Sequence, residues 1–198
     1  AYEQREARLA SYFADAHYSY LDKYYASASF RRDGSSVFGT DNLWGNFWSV
    51  GAKWRLSSEK FLKDNPVITN ATFRASYGTV GNQDIDWYAA RGYYMAGHNY
   101  DGVVGIAPES ISNTKLTWET SKKFDIGFDL SFIDRIHLSL DYYNETTSDA
   151  LMRMPLSMTT GLASTYKNIG KIRNQGIEVD LKATIMHSKD LDWNAYAN

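Results

Sequence analysis

The chain of 198 residues carries 21 Lys plus Arg against 23 Asp plus Glu, a formal net charge of -2. A balance that near neutrality supplies no field for nucleic acid, and the complete lack of cysteine excludes disulfide scaffolds, thiolate metal sites, iron–sulfur clusters and cysteine nucleophiles. Mean hydropathy is -0.47 and no apolar run approaches the roughly 18 residues of a spanning helix, so a helical membrane protein is excluded as well.

Aromatics make up 15% of the residues, with 15 Tyr, 9 Phe and 6 Trp against 3 Pro. Aromatic side chains suit pleated surfaces. A transmembrane β-barrel buries its apolar residues in lipid at every second position, so its average hydropathy stays low. Residues 1–8 are charged and lack the basic start, apolar stretch and cleavage site of a secretory signal. This leaves a mature segment, an internal segment or a cytosolic protein. The final residues stop inside an alternating pattern, the expectation for a cut chain.

In chain order, Tyr12, Ala14, Ala16, Tyr18 and Tyr20 alternate with Ser11, Phe13, Asp15, His17 and Ser19, the period-2 pattern of a strand. After Leu21-Asp22-Lys23, Tyr24, Ala26, Ala28 and Phe30 alternate with Tyr25, Ser27, Ser29 and Arg31. A turn centred on Asp22 predicts that Tyr20 faces Tyr24, Tyr18 faces Ala26 and Ala16 faces Ala28, so the apolar parities meet on one side. The same pattern runs through Trp48–Leu56, Ala71–Gly78, Lys123–Phe132, Ile136–Tyr143 and Gly176–Ile185, and resumes at Trp193 after a turn from His187 to Asp190. The reading is eight strands in four pairs; on a helical wheel the charges would fall all round.

Connections at 21–23, 57–68, 133–135 and 187–190 are short or hold at most a helical turn. Those at 33–46, 81–116 and 148–170 are long and rich in Gly, Asn, Asp, Ser and Thr. This asymmetry is that of an outer-membrane barrel, with turns periplasmic and loops extracellular. Tyr18, Tyr20, Tyr24, Trp54, Phe132 and Trp193 lie near the turns, where an aromatic girdle meets the membrane interface. The expected fold is all-β, a transmembrane antiparallel up-and-down barrel segment. Its polar parity, with Asp15, His17, Arg31, Arg74, Asp125, Asp129, Asp141, Glu178 and Asp180, is expected to line the lumen. A soluble β-sandwich would show the same alternation; strand length and loop asymmetry favour the barrel. A complete eight-stranded barrel must fill its interior with side chains, whereas Ser27, Ser29, Ser49, Gly51, Ser76, Gly78 and Gly127 are small and argue for a wider one.

Six ordered stretches resemble one family. Residues 30–39, FRRDGSSVFG, are similar to its FRRDGSSRFG block, and residues 42–55 to NRWGNFPSVSAGWR. Residues 74–83, RASYGTVGNQ, are similar to RASYGVTGNQ, and residues 116–120, LTWET, to LKWETT. Residues 141–144, DYYN, and 168–178, NIGKIRNQGIE, complete the set. By these blocks the chain resembles the SusC/RagA-type TonB-dependent transporters of Bacteroidota outer membranes. It departs from the pattern at Trp48, where proline is usual, at Val37, where a basic residue is usual, and at Ser112-Asn113-Thr114, which lacks Asn-Pro.

The resemblance implies a 22-stranded barrel to which residues 1–198 contribute about eight consecutive strands from the C-terminal half, with the plug domain and TonB-binding segment upstream and outside this chain. It implies import of an oligosaccharide or peptide, energised through TonB, with a SusD-like surface lipoprotein as lid and outer-membrane lipid around the wall. A scaffold barrel that moves no nutrient is the alternative.

Chemistry is sparse. Asp125 and Asp129 share a face but lie roughly 13 Å apart along a strand, beyond the roughly 5–9.5 Å of paired catalytic carboxylates. Asp141 is expected opposite Gly127, diagonal to both, in an acid cluster or a salt-bridged wall. His17, His98, His137 and His187 show no metal spacing, Asp84-Ile85-Asp86 lacks the glycine and distal glutamate of a calcium loop, Gly78-Thr79-Val80-Gly81 lacks the lysine of a phosphate loop, and Asn144-Glu145-Thr146 is discounted as a glycosylation acceptor. No catalytic residue, cofactor or metal is expected. The loop 81–116 holds Trp87, Tyr88, Tyr93, Tyr94 and Tyr100, which either contact a sugar or a partner lid or pack the loop internally.

Overall fold

The computed structural model describes residues 6–189 and 191–198, with the backbone alone for His98 and Tyr100. The charged start at 1–5 and Asp190 of the last turn lie outside the described residues. Twelve strands form among them: β1 (Leu9–Tyr20), β2 (Tyr24–Ser35), β3 (Trp44–Arg55), β4 (Ile68–Asn82), β5 (Tyr94–Tyr100), β6 (Val103–Pro108), β7 (Glu119–Phe132), β8 (Ile136–Ser148), β9 (Leu151–Pro155), β10 (Ser164–Asn168), β11 (Lys171–His187) and β12 (Asp192–Ala197).

Two turns of the same chemistry set the register of the first and third hairpins. Leu21 and Asp22 both have φ 52, and Ile133 and Asp134 have φ 53 and 52. Positive φ at both central positions is the type I′ turn, whose twist matches that of the flanking strands. Lys23 N–H donates to the Tyr20 carbonyl at 3.1 Å and Arg135 N–H to the Phe132 carbonyl at 2.9 Å. An aspartate tolerates this conformation, whereas a β-branched isoleucine strains to adopt it. Each turn is tied onward: the Lys23 carbonyl accepts from Arg55 N–H of β3 and the Arg135 carbonyl from Thr184 N–H of β11, both at 2.7 Å.

The eight long strands form one antiparallel sheet in the order β1-β2-β3-β4-β7-β8-β11-β12. Tyr20 pairs with Tyr24, Tyr18 with Ala26 and Ala16 with Ala28, as the alternation predicts, and Gly127 pairs with Asp141. The sheet is open, since β1 and β12 each have one neighbour; this excludes closure into an eight-stranded barrel among the described residues. Strands also run past the alternating stretches at the loop end: β2 reaches Ser35, β4 reaches Asn82 and β8 reaches Ser148. Two of the long connections are not bare loops, because 81–116 contains the β5–β6 hairpin and 148–170 the β9–β10 hairpin.

Alternation and register together put apolar rows across the sheet from β1 to β11. One row runs Tyr20, Tyr24, Trp54, Phe73, Phe128, Leu140, Val179, and the next Tyr18, Ala26, Ala52, Ala75, Ile126, Tyr142, Ile177. No second layer packs over them among the described residues: Tyr18 is 64% exposed and Ile177 74%. Apart from Ala71 near the turns, the buried hydrophobic residues gather at the loop end. Total exposed area is 14222 Å², against about 9,500 Å² for a compact soluble monomer of this mass. Tyr12 to Tyr20 spans about 26 Å along β1, or about 20 Å of height at a barrel strand's tilt, near the apolar band of such barrels.

At the turn end Glu59 ties that face together. It follows a 3-10 turn at Leu56–Ser58, and a single α-turn closes with Lys63 N–H donating to its carbonyl at 2.7 Å. Its Oε1 accepts from Tyr24 Oη at 2.5 Å and Trp54 Nε1 at 3.3 Å, and its Oε2 from Lys23 Nζ at 2.9 Å. The Tyr24 and Trp54 rings stack with centroids 6.2 Å apart. The hydrogen bonds from Tyr24 and then Lys23 hold the Glu59 carboxyl down at about 2. A ring with an apolar body and a polar tip suits a membrane interface, and one carboxylate here orients two such tips.

Two outcomes are expected. In full-length protein reconstituted with bromolipid, single-tryptophan variants retaining Trp48 or Trp54 are quenched, while one retaining Trp118 of the loop-end core is not. The lowered Glu59 carboxyl stabilises the fold fully above its unfolded value near 4.5 and loses this contribution as pH falls from there to about 2. Thermal unfolding of Glu59→Gln should therefore start lower than wild type at neutral pH, and the two midpoints should converge toward pH 2.

Candidate functional site

All nine residues expected to line the lumen lie on the face opposite the apolar rows. One row reads Lys53, Arg74, Gly127, Asp141, Glu178; its neighbours hold His17 with Asp125, Asp15 with Lys123, and Asp129 with Ser139 and Asp180. Arg31 sits toward the loop end, its Nε donating to Asp33 Oδ1 at 2.7 Å. Arg74 organises the centre. Its Nε and Nη2 donate to Asp129 at 2.7 and 3.1 Å, and Nη2 also reaches Asp141 Oδ1 at 2.9 Å. Ser139 Oγ lies 2.8 Å from Asp129 Oδ1 and 3.0 Å from Asp141 Oδ2.

The cluster is therefore an arginine held between two carboxylates, the salt-bridged wall of the two expected arrangements. Asp141 sits opposite Gly127 and diagonal to Asp125 and Asp129, and Asp125 stays outside the ion pairs, 3.4 Å from Ser76 Oγ. Asp15, Glu178 and Asp180 form no ion pair among the described residues. Partly exposed pairs contribute little singly; the bidentate arginine network contributes geometry. Above it Ser27, Gly51, Ser76 and Gly127 leave a notch of about 470 Å³ edged by His17, Lys53 and Asp125.

The loop end is packed instead of solvated. Leu116, fully buried, joins Val37, Phe38, Phe47, Ala90 and Trp118 in one cluster, with Ile85, Ala89, Leu151 and Tyr166 against it. Phe38 lies 4.7 Å and Phe47 5.4 Å from the Trp118 ring. Backbone and amide bonds lace the three connections: Gly39 N–H to the Leu116 carbonyl, Asn113 Nδ2 to the Tyr166 carbonyl, and Asn168 Nδ2 to the Thr117 and Asp149 carbonyls. Val37, the departure from a basic residue, is buried here. Trp48, the departure from proline, uses its N–H to donate to Thr79 Oγ1 at 3.1 Å, which proline cannot do.

Between residues 86–94 and the β9–β10 hairpin lies a groove of about 680 Å³. Four of the five expected aromatic residues line it: Trp87, Tyr88, Tyr93 and Tyr94; the side chain of Tyr100 lies outside the described residues. Internal packing of the loop is done by Ile85, Ala89, Ala90 and Leu116, which leaves Trp87, Tyr93 and Tyr94 exposed. Tyr88 is tied down, its Oη accepting from Glu6 N–H at 3.1 Å. Residues the sequence reading missed complete the groove: Arg91, Glu109, Arg153 and Tyr166. Tyr166 Oη donates to Asp86 at 3.0 Å; burial and then that carboxylate push the phenol's pKa up. Asp86, part of the incomplete calcium pattern, is thus engaged with a tyrosine.

Gly127 lies directly under the Arg74 cluster. A Cβ there would collide with Asp141 Oδ1 and lie 2.8 Å from Arg74 Nη2. Gly127→Ala is expected to push the Arg74 and Asp141 side chains apart and destabilise the full-length protein by about 1 kcal/mol, read as a lowered unfolding midpoint in detergent.

The family model described as TonB dependent receptor-like, beta-barrel matches residues 1–198. TonB-dependent receptor P39 of Formosa agariphila is 37% identical over 191 residues, covering 96% of this chain and 18% of that protein. TonB-dependent receptor SusC of Bacteroides thetaiotaomicron is 32% identical over 207 residues, 100% of this chain and 20% of that protein. The solved RagAB peptide transporter superposes with a TM-score of 0.87 at 30% identity, over 96% of this chain and 21% of its own. The siderophore receptor PirA from Pseudomonas aeruginosa, at 18% identity and TM-score 0.65, shares the fold. The chain spans about a fifth of the length of the curated relatives it matches. With one face apolar and uncovered, the other polar, and the β-barrel model matched from end to end, the chain belongs to the TonB-dependent receptor-like β-barrel family of the outer membrane.

Proposed function

We propose that this chain is part of the wall of a TonB-dependent importer that brings an oligosaccharide or peptide across the outer membrane. The observation that carries the reading is the set of apolar rows with no second layer over them among the described residues, a surface that acyl chains would cover. The opposite face, with Asp15, His17, Arg31, Arg74, Asp125, Asp129, Asp141, Glu178 and Asp180, lines the lumen. The free edges of β1 and β12 support the same reading, because unpaired strand edges are not tolerated in lipid and further strands of the protein would satisfy them. The plug domain and the TonB-binding segment belong to other parts of the protein.

A SusD-like surface lipoprotein is the proposed partner at the loop end. What supports it is the β5–β6 hairpin, whose Val103, Val104 and Ile106 are 70%, 71% and 73% exposed, aliphatic surface of the kind that protein interfaces bury at their centre. Uptake by cells carrying the full-length protein is expected to stop when TonB is deleted. Uptake that persists unchanged would overturn the TonB-dependent reading; no uptake even with TonB present would favour the alternative, a scaffold barrel in an outer-membrane complex that moves no nutrient.

A further inference from the structure

Building on the importer reading, we propose that the groove between residues 86–94 and the β9–β10 hairpin binds an uncharged oligosaccharide. Its volume of about 680 Å³ is that of a ligand site. Two of its rings are fixed through their hydroxyls, Tyr88 by Glu6 N–H and Tyr166 by Asp86, so ordering them costs a ligand little. Trp87 and Tyr94 keep free ring faces, 47% and 72% exposed. A sugar ring presents a C–H face to such a platform and hydroxyls around its edge.

The edge has partners. Arg153 gives its Nε to Ser164 Oγ at 2.6 Å and retains the rest of its guanidinium fork. Arg91 lies 5.9 Å over the Tyr88 ring. Neither arginine has a carboxylate partner among the described residues, so their donors remain available for hydroxyl oxygens. Asp86 and Glu109 also line the groove, and two cations against two anions give no selection for a charged ligand. A protein partner fits the aliphatic β5–β6 hairpin better than this aromatic and polar concavity, which separates the two surfaces of one loop by chemistry.

Calorimetric titration of the full-length protein in detergent tests this, with cellohexaose, mannohexaose, xylohexaose, laminarihexaose and chitohexaose as probes and hexa-alanine as the peptide control. At least one hexasaccharide should bind, and Trp87→Ala combined with Tyr94→Ala should weaken it about tenfold or more, the scale of losing two aromatic contacts. Val103→Ser combined with Ile106→Ser should leave sugar affinity unchanged while weakening capture of the lid lipoprotein. The proposal is overturned if no hexasaccharide binds, if the aromatic variant binds as tightly as wild type, or if only hexa-alanine binds. It is equally overturned if the aromatic variant loses the lipoprotein and keeps the sugar. Peptide binding with TonB-dependent uptake would sink the groove and spare the importer; sugar binding with TonB-independent uptake would do the reverse.

Discussion

The structure depends on one condition: a single sheet layer must satisfy every backbone group internally while meeting different media on its two faces. Hydrogen bonding between strands meets the first demand. Period-2 alternation meets the second, because it gives each strand one apolar and one polar side without any packed layer beneath. A soluble sandwich would have to bury the Tyr18–Ala26–Ala52–Ala75 row against a second sheet; here that row faces outward, and the small alanines are flanked by rings toward either end of the strands.

A sheet of this kind has little core of its own, so packing is displaced to the loop end. There Leu116, Trp118, Phe38 and Phe47 form the buried cluster, and Asn113 and Asn168 donate across connections far apart in sequence. This accounts for the residues that carry the family resemblance: much of FRRDGSSVFG, LTWET and NIGK lies in or beside the cluster that holds the loops in place. The groove and the exposed hairpin stand on that platform, adaptable surfaces mounted on a packed base. The turn end is built otherwise, with the Glu59 carboxylate collecting the polar tips of Tyr24, Trp54 and Lys23.

On the polar face the balance between small and charged residues is steric as well as electrostatic. Arg74 reaches both Asp129 and Asp141 because position 127 has no side chain, and Ser139 supplies a hydroxyl between the two carboxylates. Glycine and serine at neighbouring positions leave the notch open, so the wall is neutralised locally without being filled.

How far the sequence could be read follows from the range of each interaction. Alternation and the turn at Asp22 determined strand identity, facing and the register of the first hairpin, because side-chain period and turn geometry act within a few residues. Strand ends were less legible: beyond the bilayer both faces meet protein or water, the alternation stops, and hydrogen bonding continues unseen. The β5–β6 hairpin was readable, since Asp101-Gly102 is a strong type I′ signal, with φ 48 and 81 in the structure; the missing periodicity around it concealed that signal. The pairing of Arg74 with Asp129 and not with Asp125, the convergence of Val37, Ala90 and Leu116, and the arrival of Tyr166 and Arg153 beside Trp87 were decided by tertiary structure alone. They join residues 26 to 79 positions apart, and no local pattern encodes such a distance.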